Sequence, residues 1–226
     1  MNTTQINLRT LKAVALAAST EETRYYLNGV WIECRESHVT YVATNGHVLL
    51  CAQEELPALE PGAAPRLVGN WIVPNATIKS LKIKGKDRAA GDIAELRQLA
   101  PLQFILGESV FVPVDGSFPD WRRVVPCKPA GIGNYDKKTK TWDGVPSQFD
   151  PALVAVFGTF AKLMALGDSH INHAAFGDPH AVTFSRPNME RAFGILMPRR
   201  IDAPAWNGAP DWIQEPKAQE QQKVAA

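Results

Sequence analysis

Asp168, His170, His173, Asp178 and His180 are the residue types that hold zinc or another divalent ion, and they crowd one stretch of the chain. Their spacing is not HExxH, they fall in a loop and a strand, and Gly177-Asp178-Pro179 reads as a turn. Surface histidines are therefore expected there, with a metal-dependent enzyme as the rival reading. Cys34, Cys51 and Cys127 are odd in number and lack CxxC spacing, so reduced thiols are expected and neither a disulfide frame nor a zinc site. No GxSxG, no GxxxxGK[ST] and no GxGxxG after a strand occurs, and Gly131-Ile132-Gly133 is too short a glycine signal for nucleotide binding. No pair of carboxylates has the context that a metal-dependent nuclease needs. Catalytic templates thus find no support, and a binding protein with no cofactor and no metal is the expectation.

Charge adds little, since the formal net charge is +1. Lys79, Lys82, Lys84, Lys86 and Arg88 form a basic run that could face phosphates, although a solvated helix end followed by a loop is the expected reading of such a run taken alone. With 226 residues, 45% of them hydrophobic, the chain can bury a sizeable core. Met1 to Asn7 is polar, and the apolar run from Leu11 to Ala18 is broken by Lys12 and too short to span a bilayer, so a cytoplasmic location away from membranes is expected.

The elements that would position these groups recur in order. Asn7 can cap a helix carrying Leu8, Leu11, Ala15 and Ala18 at helical spacing, ending near Ser19. Strands are predicted from Arg24 to Cys34 and from His38 to Cys51, then a loop from Glu54 to Pro65. A second unit follows: a short strand at Trp71 to Pro74, Asn75 as N-cap of a helix with Ile78 and Leu81, and strands at Ile93 to Leu99 and Leu102 to Val114. The stretch from Phe118 to Pro126 reads as extended or turned and not helical. After a Gly, Pro and Lys-rich linker or hairpin, Asp150 caps a third helix with Pro151 at its first position and Leu153, Phe157, Phe160, Ala161 and Met164 on its apolar side. Short strands are predicted at Ile171 to Phe176, Ala181 to Ser185 and Ala192 to Met197. The polar end from Gln214 to Ala226 reads as disordered. One helix followed by about three strands thus occurs three times, an internal structural repeat of α+β class.

Three motifs carry a resemblance. Arg24-Tyr25-Tyr26-Leu27-Asn28-Gly29 with Val42-Ala43-Thr44-Asn45-Gly46-His47 resembles the RYYLNG and VATDGHRLA pattern in the middle domain of bacterial sliding clamps, the DNA polymerase III beta subunits. Phe118-Pro119-Asp120-Trp121-Arg122-Arg123-Val124-Val125-Pro126 is similar to the FPDYRRVLP segment that ends that domain. Gly194-Ile195-Leu196-Met197-Pro198-Arg199-Arg200-Ile201 is similar to the VMPMRL stretch of the clamp's C-terminus. The chain is therefore identified as a shortened member of that family.

The resemblance implies a DNA-clamp fold of repeated βαβββ units. Residues 1–126 would form a domain of two units, 127–148 a linker, 149–203 a single unit and 204–226 a tail. It implies a peptide-binding groove with Thr44, Gly46, His47 and Leu49 on one side, Pro74 at its edge, and Met197, Pro198 and Arg200 on the other. Val48 stands where the family has Arg, Arg199 where it has Met, and Asn45 where it has Asp. Arg9, Lys12, Lys79, Lys82 and Lys162 would be the diffuse basic contacts to double-stranded DNA. Arg122 and Arg123 would either touch DNA or brace carboxylates. The implied partners are a polymerase or other proteins carrying clamp-binding motifs, non-specifically bound duplex DNA, and further copies of the chain, because an odd number of units leaves the third without its usual mate. An incomplete clamp that sequesters or redirects such clients is the alternative within the same class.

Overall fold

Asn7 caps the first helix as its position predicts: its Oδ1 accepts from the N–H groups of Arg9 and Thr10 at 3.0 and 3.3 Å. The computed structural model describes residues 2–83, 92–125, 135, 136, 138, 141, 142, 149–164, 170–174, 180–185 and 192–197. Strand β1 (Thr3–Asn7) leads into α1 (Leu8–Val14), which tightens into a 3₁₀ turn at Ala15–Ala17 short of Ser19. Leu11, Ala13 and Val14 are fully buried, and a leucine or valine so placed contributes roughly 1.5–3 kcal/mol.

The strand expected from Arg24 begins only at Gly29. Glu22–Leu27 is a 3₁₀ segment instead, closed by the Asn28 N–H donating to the Tyr25 carbonyl at 2.9 Å. Aromatic composition misled here, because the local turn outweighed strand propensity. Then come β2 (Gly29–Cys34), β3 (His38–Thr44), β4 (Val48–Glu55), β5 (Gly69–Pro74) and α2 (Asn75–Ser80). Pro74, not Asn75, is the cap position of α2, and the Asn75 side chain reaches across to the Ser19 carbonyl at 2.8 Å. The unit closes with β6 (Ile93–Ala100), β7 (Gln103–Leu106) and β8 (Ser109–Phe111). Trp121–Val124, expected to be non-helical, forms a single 3₁₀ turn.

Within the expected linker, β9 (Tyr135–Asp136) pairs with β10 (Thr141–Trp142). Asp150 caps α3 (Pro151–Leu163) by accepting from the Ala152 N–H at 2.8 Å, as predicted. The strands β11 (His170–Ala174), β12 (His180–Ser185) and β13 (Ala192–Leu196) complete the third unit, in which a helix and three strands are described. No described helix is long and apolar enough to cross a membrane.

Two antiparallel sheets result, one ordered β1-β6-β7-β8 and the other β11-β12-β13-β4-β3-β2-β5. The first two units exchange their leading strands: β1 pairs with β6 of the second unit, and β5 pairs with β2 of the first. The third unit joins the first through β13, which pairs with β4 and extends the larger sheet. Behind that junction α3 packs beside α1, which also touches α2. One core joins Leu11 and Val14 of α1, Phe157 and Phe160 of α3, Ile78 of α2, and the inner faces of both sheets, including Tyr41, Leu50, Leu96 and Phe104. Gly194 is required in β13 because a Cβ there would meet the Phe157 ring at 2.2 Å.

The other face of the larger sheet carries a second cluster. Val42, Leu49, Cys51 and Ile195 lie beneath Phe118, Trp121 and Val125, so residues 118–125 strap the sheet. Arg122 fastens the strap with two bonds to the Glu33 carboxylate, at 2.8 and 2.6 Å, while its guanidinium lies 4.2 Å from the Trp121 ring centre. The Arg122 fork, helped by the indole N–H groups of Trp31 and Trp121, holds the Glu33 carboxyl down at about 2. Of the two roles open to Arg122, bracing a carboxylate is the one observed.

Candidate functional site

Five strand termini meet at one end of the larger sheet. The register places the end of β5 at Pro74 opposite the start of β2 at Gly29. It places the end of β3 at Thr44 opposite Leu49 of β4, and the end of β13 at Leu196 opposite Val48. The β3–β4 turn is built by its own polar side chains. Asn45 Oδ1 accepts from the His47 and Val48 N–H groups at 2.9 and 3.0 Å. The Thr44 hydroxyl accepts from the Gly46 N–H at 3.0 Å and donates to the Val48 carbonyl at 2.8 Å. Gly46 has φ +91°, and a Cβ there would sit 2.5 Å from a guanidinium nitrogen of Arg24, so the position favours glycine on two counts.

Next to this turn the Met197 N–H donates to the His47 carbonyl at 2.8 Å, beyond the last paired residue of β13. His47 and Met197, far apart in the chain, are thus joined by one backbone bond, and both side chains are exposed. Beneath them Leu49 is buried opposite Ile195, which makes Leu49 part of the supporting floor more than of an open wall. Pro74 shares the same sheet end but lies across β3 and β2 from β4, about 14 Å away at a ~4.8 Å strand spacing. Pro198 and Arg200 lie outside the described residues.

Arg24 and Tyr25 flank the same turn and stand inside the Arg24–Gly29 motif. Arg24 forks onto Glu21 at 2.8 and 2.6 Å beside Gly46, and Tyr25 is exposed with its ring edge-on to Tyr26. A Cβ at Gly116 would lie 2.9 Å from Tyr26 Cβ, so the loop after β8 closes down on this pair. The signal that could have found them was the aromatic Tyr25-Tyr26 pair placed just before β2.

A family model described as DNA polymerase III beta subunit, central domain, matches residues 3–120. The chain belongs to the DNA polymerase III beta subunit family. The beta sliding clamp of Caulobacter vibrioides (strain NA1000 / CB15N) is 36% identical over 137 residues, covering 57% of this chain and 35% of that protein. The chain spans about a third of the length of the curated relatives it matches. The sliding clamp structure from Bacillus subtilis matches with a TM-score of 0.61 at 19% identity, over 88% of this chain and 64% of that one. A sliding clamp from Bartonella birtlesii bound to griselimycin matches with a TM-score of 0.56 at 18% identity, over 88% and 66%. The α+β fold expected from the repeated units is therefore the clamp fold.

The five candidate DNA-facing cations of this clamp-family chain fare differently. Arg9 is mostly buried and pairs with Asp92 at 3.3 Å, which takes it out of the freely available set. Lys12 and Lys79 line one shallow cleft between α1 and α2, floored by Ala15, Ala18 and Ile78. Lys82 and Lys162 are exposed, the latter on α3 beside α1. Lys84, Lys86 and Arg88 of the basic run lie outside the described residues. So do Asp168 and Asp178 of the histidine-rich stretch. The β11–β12 register sets His170 opposite Ser185, five positions along β12 from His180, or about 17 Å at ~3.4 Å per residue. The register thus sets His170 and His180 apart along the sheet. Among the described residues no group of three or more His, Cys, Asp or Glu could hold a metal. Cys34 and Cys51 are buried, with thiols pushed up to about 12 by desolvation.

Proposed function

We propose that the chain works as a sliding-clamp protein of DNA replication, a binding module and not a catalyst. It would capture the short apolar motifs of a polymerase or related clients at the sheet end formed by Thr44, Gly46, His47 and Met197, with Leu49 as floor and Pro74 at the edge. Pro198 and Arg200 would extend the Met197 side. The observation that carries this reading is the Met197 N–H bond to the His47 carbonyl, which joins the two sequence-distant stretches that such a groove would use. A sheet end that offers turn backbone groups beside the exposed Met197 side chain suits an extended peptide. The griselimycin-bound relative supports a ligand-binding role for this family.

Lys12, Lys79, Lys82 and Lys162, on and around neighbouring helices, would give non-specific and salt-sensitive contact with duplex DNA. The test of the reading is binding of a fluorescent peptide bearing a bacterial clamp-binding motif. Saturable binding is expected for the unaltered chain, weakened at least tenfold in His47→Ala and in Met197→Ala. A folded chain that does not bind, or binding that survives both changes, would overturn the assignment of the groove.

A further inference from the structure

The outer face of the larger sheet changes character just past the strap. Trp31, Val42 and Cys51 pair across β2, β3 and β4 as an apolar row beneath residues 118–125. Two positions on, the register sets Asn70, Glu33, Thr40 and Gln53 side by side across β5, β2, β3 and β4, and every side chain of that row is polar. Glu33 is its acid.

Two guanidinium groups close on Glu33 from outside. Arg122 reaches over from the strap, with Nη1 donating to Oε1 at 2.8 Å and Nη2 to Oε2 at 2.6 Å. Arg35, just past the end of β2, holds its Nη2 3.9 Å from the same Oε2, a charge contact beyond hydrogen-bond distance. Its Nη1 is engaged instead by the Cys34 carbonyl at 3.1 Å and Asn70 Oδ1 at 2.7 Å, which fixes the group in place. Glu33 has no capacity left for Arg35. Its Oε1 already accepts from Arg122 and from the indole N–H groups of Trp31 and Trp121, at 3.1 and 3.4 Å. Two cations therefore share one buried anion, and both are open to solvent, Arg122 by 57% and Arg35 by 40% against 7% for Glu33. A guanidinium has more N–H groups than the two bonds that each of these makes, so both keep donors for a further acceptor. On the strap itself the exposed Asp120 is matched by the exposed Arg123, which leaves the positive charge of Arg35 in excess.

We infer that Arg35 and Arg122 form a binding site for a carboxylate side chain of an acidic protein segment, on the sheet face away from the helices. Charge and shape select that ligand. A single excess positive charge matches a monoanion, whereas a doubly charged phosphate would meet the Glu33 carboxylate directly beneath. The planar forks of two arginines suit the planar carboxylate, and the amides of Asn70 and Gln53 flank them for the backbone of an extended segment. The helices carrying Lys12, Lys79 and Lys162 pack on the opposite face, so a duplex held there does not reach this one. Thr44 of the proposed groove lies four residues along β3 from Thr40, about 14 Å at ~3.4 Å per residue. The inference is therefore independent of both.

A nuclear magnetic resonance titration of the isotope-labelled full chain with a tetraglutamate peptide tests it, read at the indole N–H groups of Trp31 and Trp121, which both point at Glu33. Saturable shifts with half-saturation in the millimolar range are expected, the scale of an exposed charged contact. Arg35→Ala should weaken binding about fivefold and Arg35→Glu abolish it, with circular dichroism and thermal unfolding unchanged, because the Arg122 bonds to Glu33 remain. Arg35→Lys, which keeps the charge and loses the fork, should fall between the unaltered chain and Arg35→Ala. Parallel titrations use sodium chloride at matched ionic strength, inorganic phosphate and a short DNA duplex. Shifts that chloride reproduces, tighter binding of phosphate or duplex than of tetraglutamate, or binding that Arg35→Glu leaves intact would overturn the inference.

Discussion

Replacing Arg122 with alanine should destabilise the protein in a way that depends on pH, because the strap is fastened by a charge pair. The Glu33 side chain is 7% exposed and the Arg122 side chain 57%, so one partner is desolvated and the other is not. Glu33 falls from an ordinary value of 4.5 to about 2 in the folded chain. At face value this is worth ~3 kcal/mol, and screening through the exposed Arg122 leaves about 1–2 kcal/mol. A carboxyl held below its unfolded value contributes its full stability above pH 4.5 and loses it as pH falls toward about 2. Urea unfolding at pH 7 should therefore separate Arg122→Ala from the parent by about 1–2 kcal/mol, beyond whatever is lost in packing on Trp121. The gap should shrink steadily from pH 4.5 downward. Glu54, whose carboxyl burial pushes up, titrates alike in both proteins and drops out of the difference. A gap that is the same at pH 7 and near pH 2.5 would mean that the strap is held by packing alone and would refute the charge-pair account.

Gly194→Ala should cost about 1–3 kcal/mol, since the added methyl collides with Phe157 at the β13–α3 contact; pairing it with Phe157→Leu should recover part of the loss in thermal unfolding. Cys34 and Cys51 should stay unmodified by Ellman's reagent at pH 8 in the native state and react on unfolding, because their thiols are buried and pushed up to about 12.

Helices were the most readable part of the sequence. Asn7 and Asp150 each announce a cap whose side chain does accept from the next turn, because a cap is a local bond between neighbours. Strand location was readable only in part: the single runs expected at His38 to Cys51 and Leu102 to Val114 are each two strands joined by a turn, because a turn built by Thr44 and Asn45, or by Gly107, interrupts an unbroken apolar pattern, and strand partnership was not readable at all. The exchange of β1 and β5 between units links residues such as Thr3 and Arg97, and nothing in local pattern encodes that register. Arg122 and Glu33 likewise meet across the chain, so the sequence left open whether the arginine faced DNA or a carboxylate. The proposed groove rests on the resemblance of the VATNGH and GILMP stretches and not on residue chemistry; what the structure adds is the Met197 bond to His47, which joins those two stretches. Arg9 shows the opposite case, a cation on a helix that reads as solvated until Asp92 closes on it.

The strand exchange between the first two units separates the order of the chain from the order of the fold. The exposed connection between β4 and β5, residues 56–68, carries the polypeptide from one unit to the next. Yet the units are also laced together by β1 in one sheet and β5 in the other. Cutting that connection would leave two pieces still woven through both sheets, like a seam that holds after one thread is drawn. Neither unit, for the same reason, can melt away while its neighbour remains whole, so this half of the molecule should lose its structure in a single step.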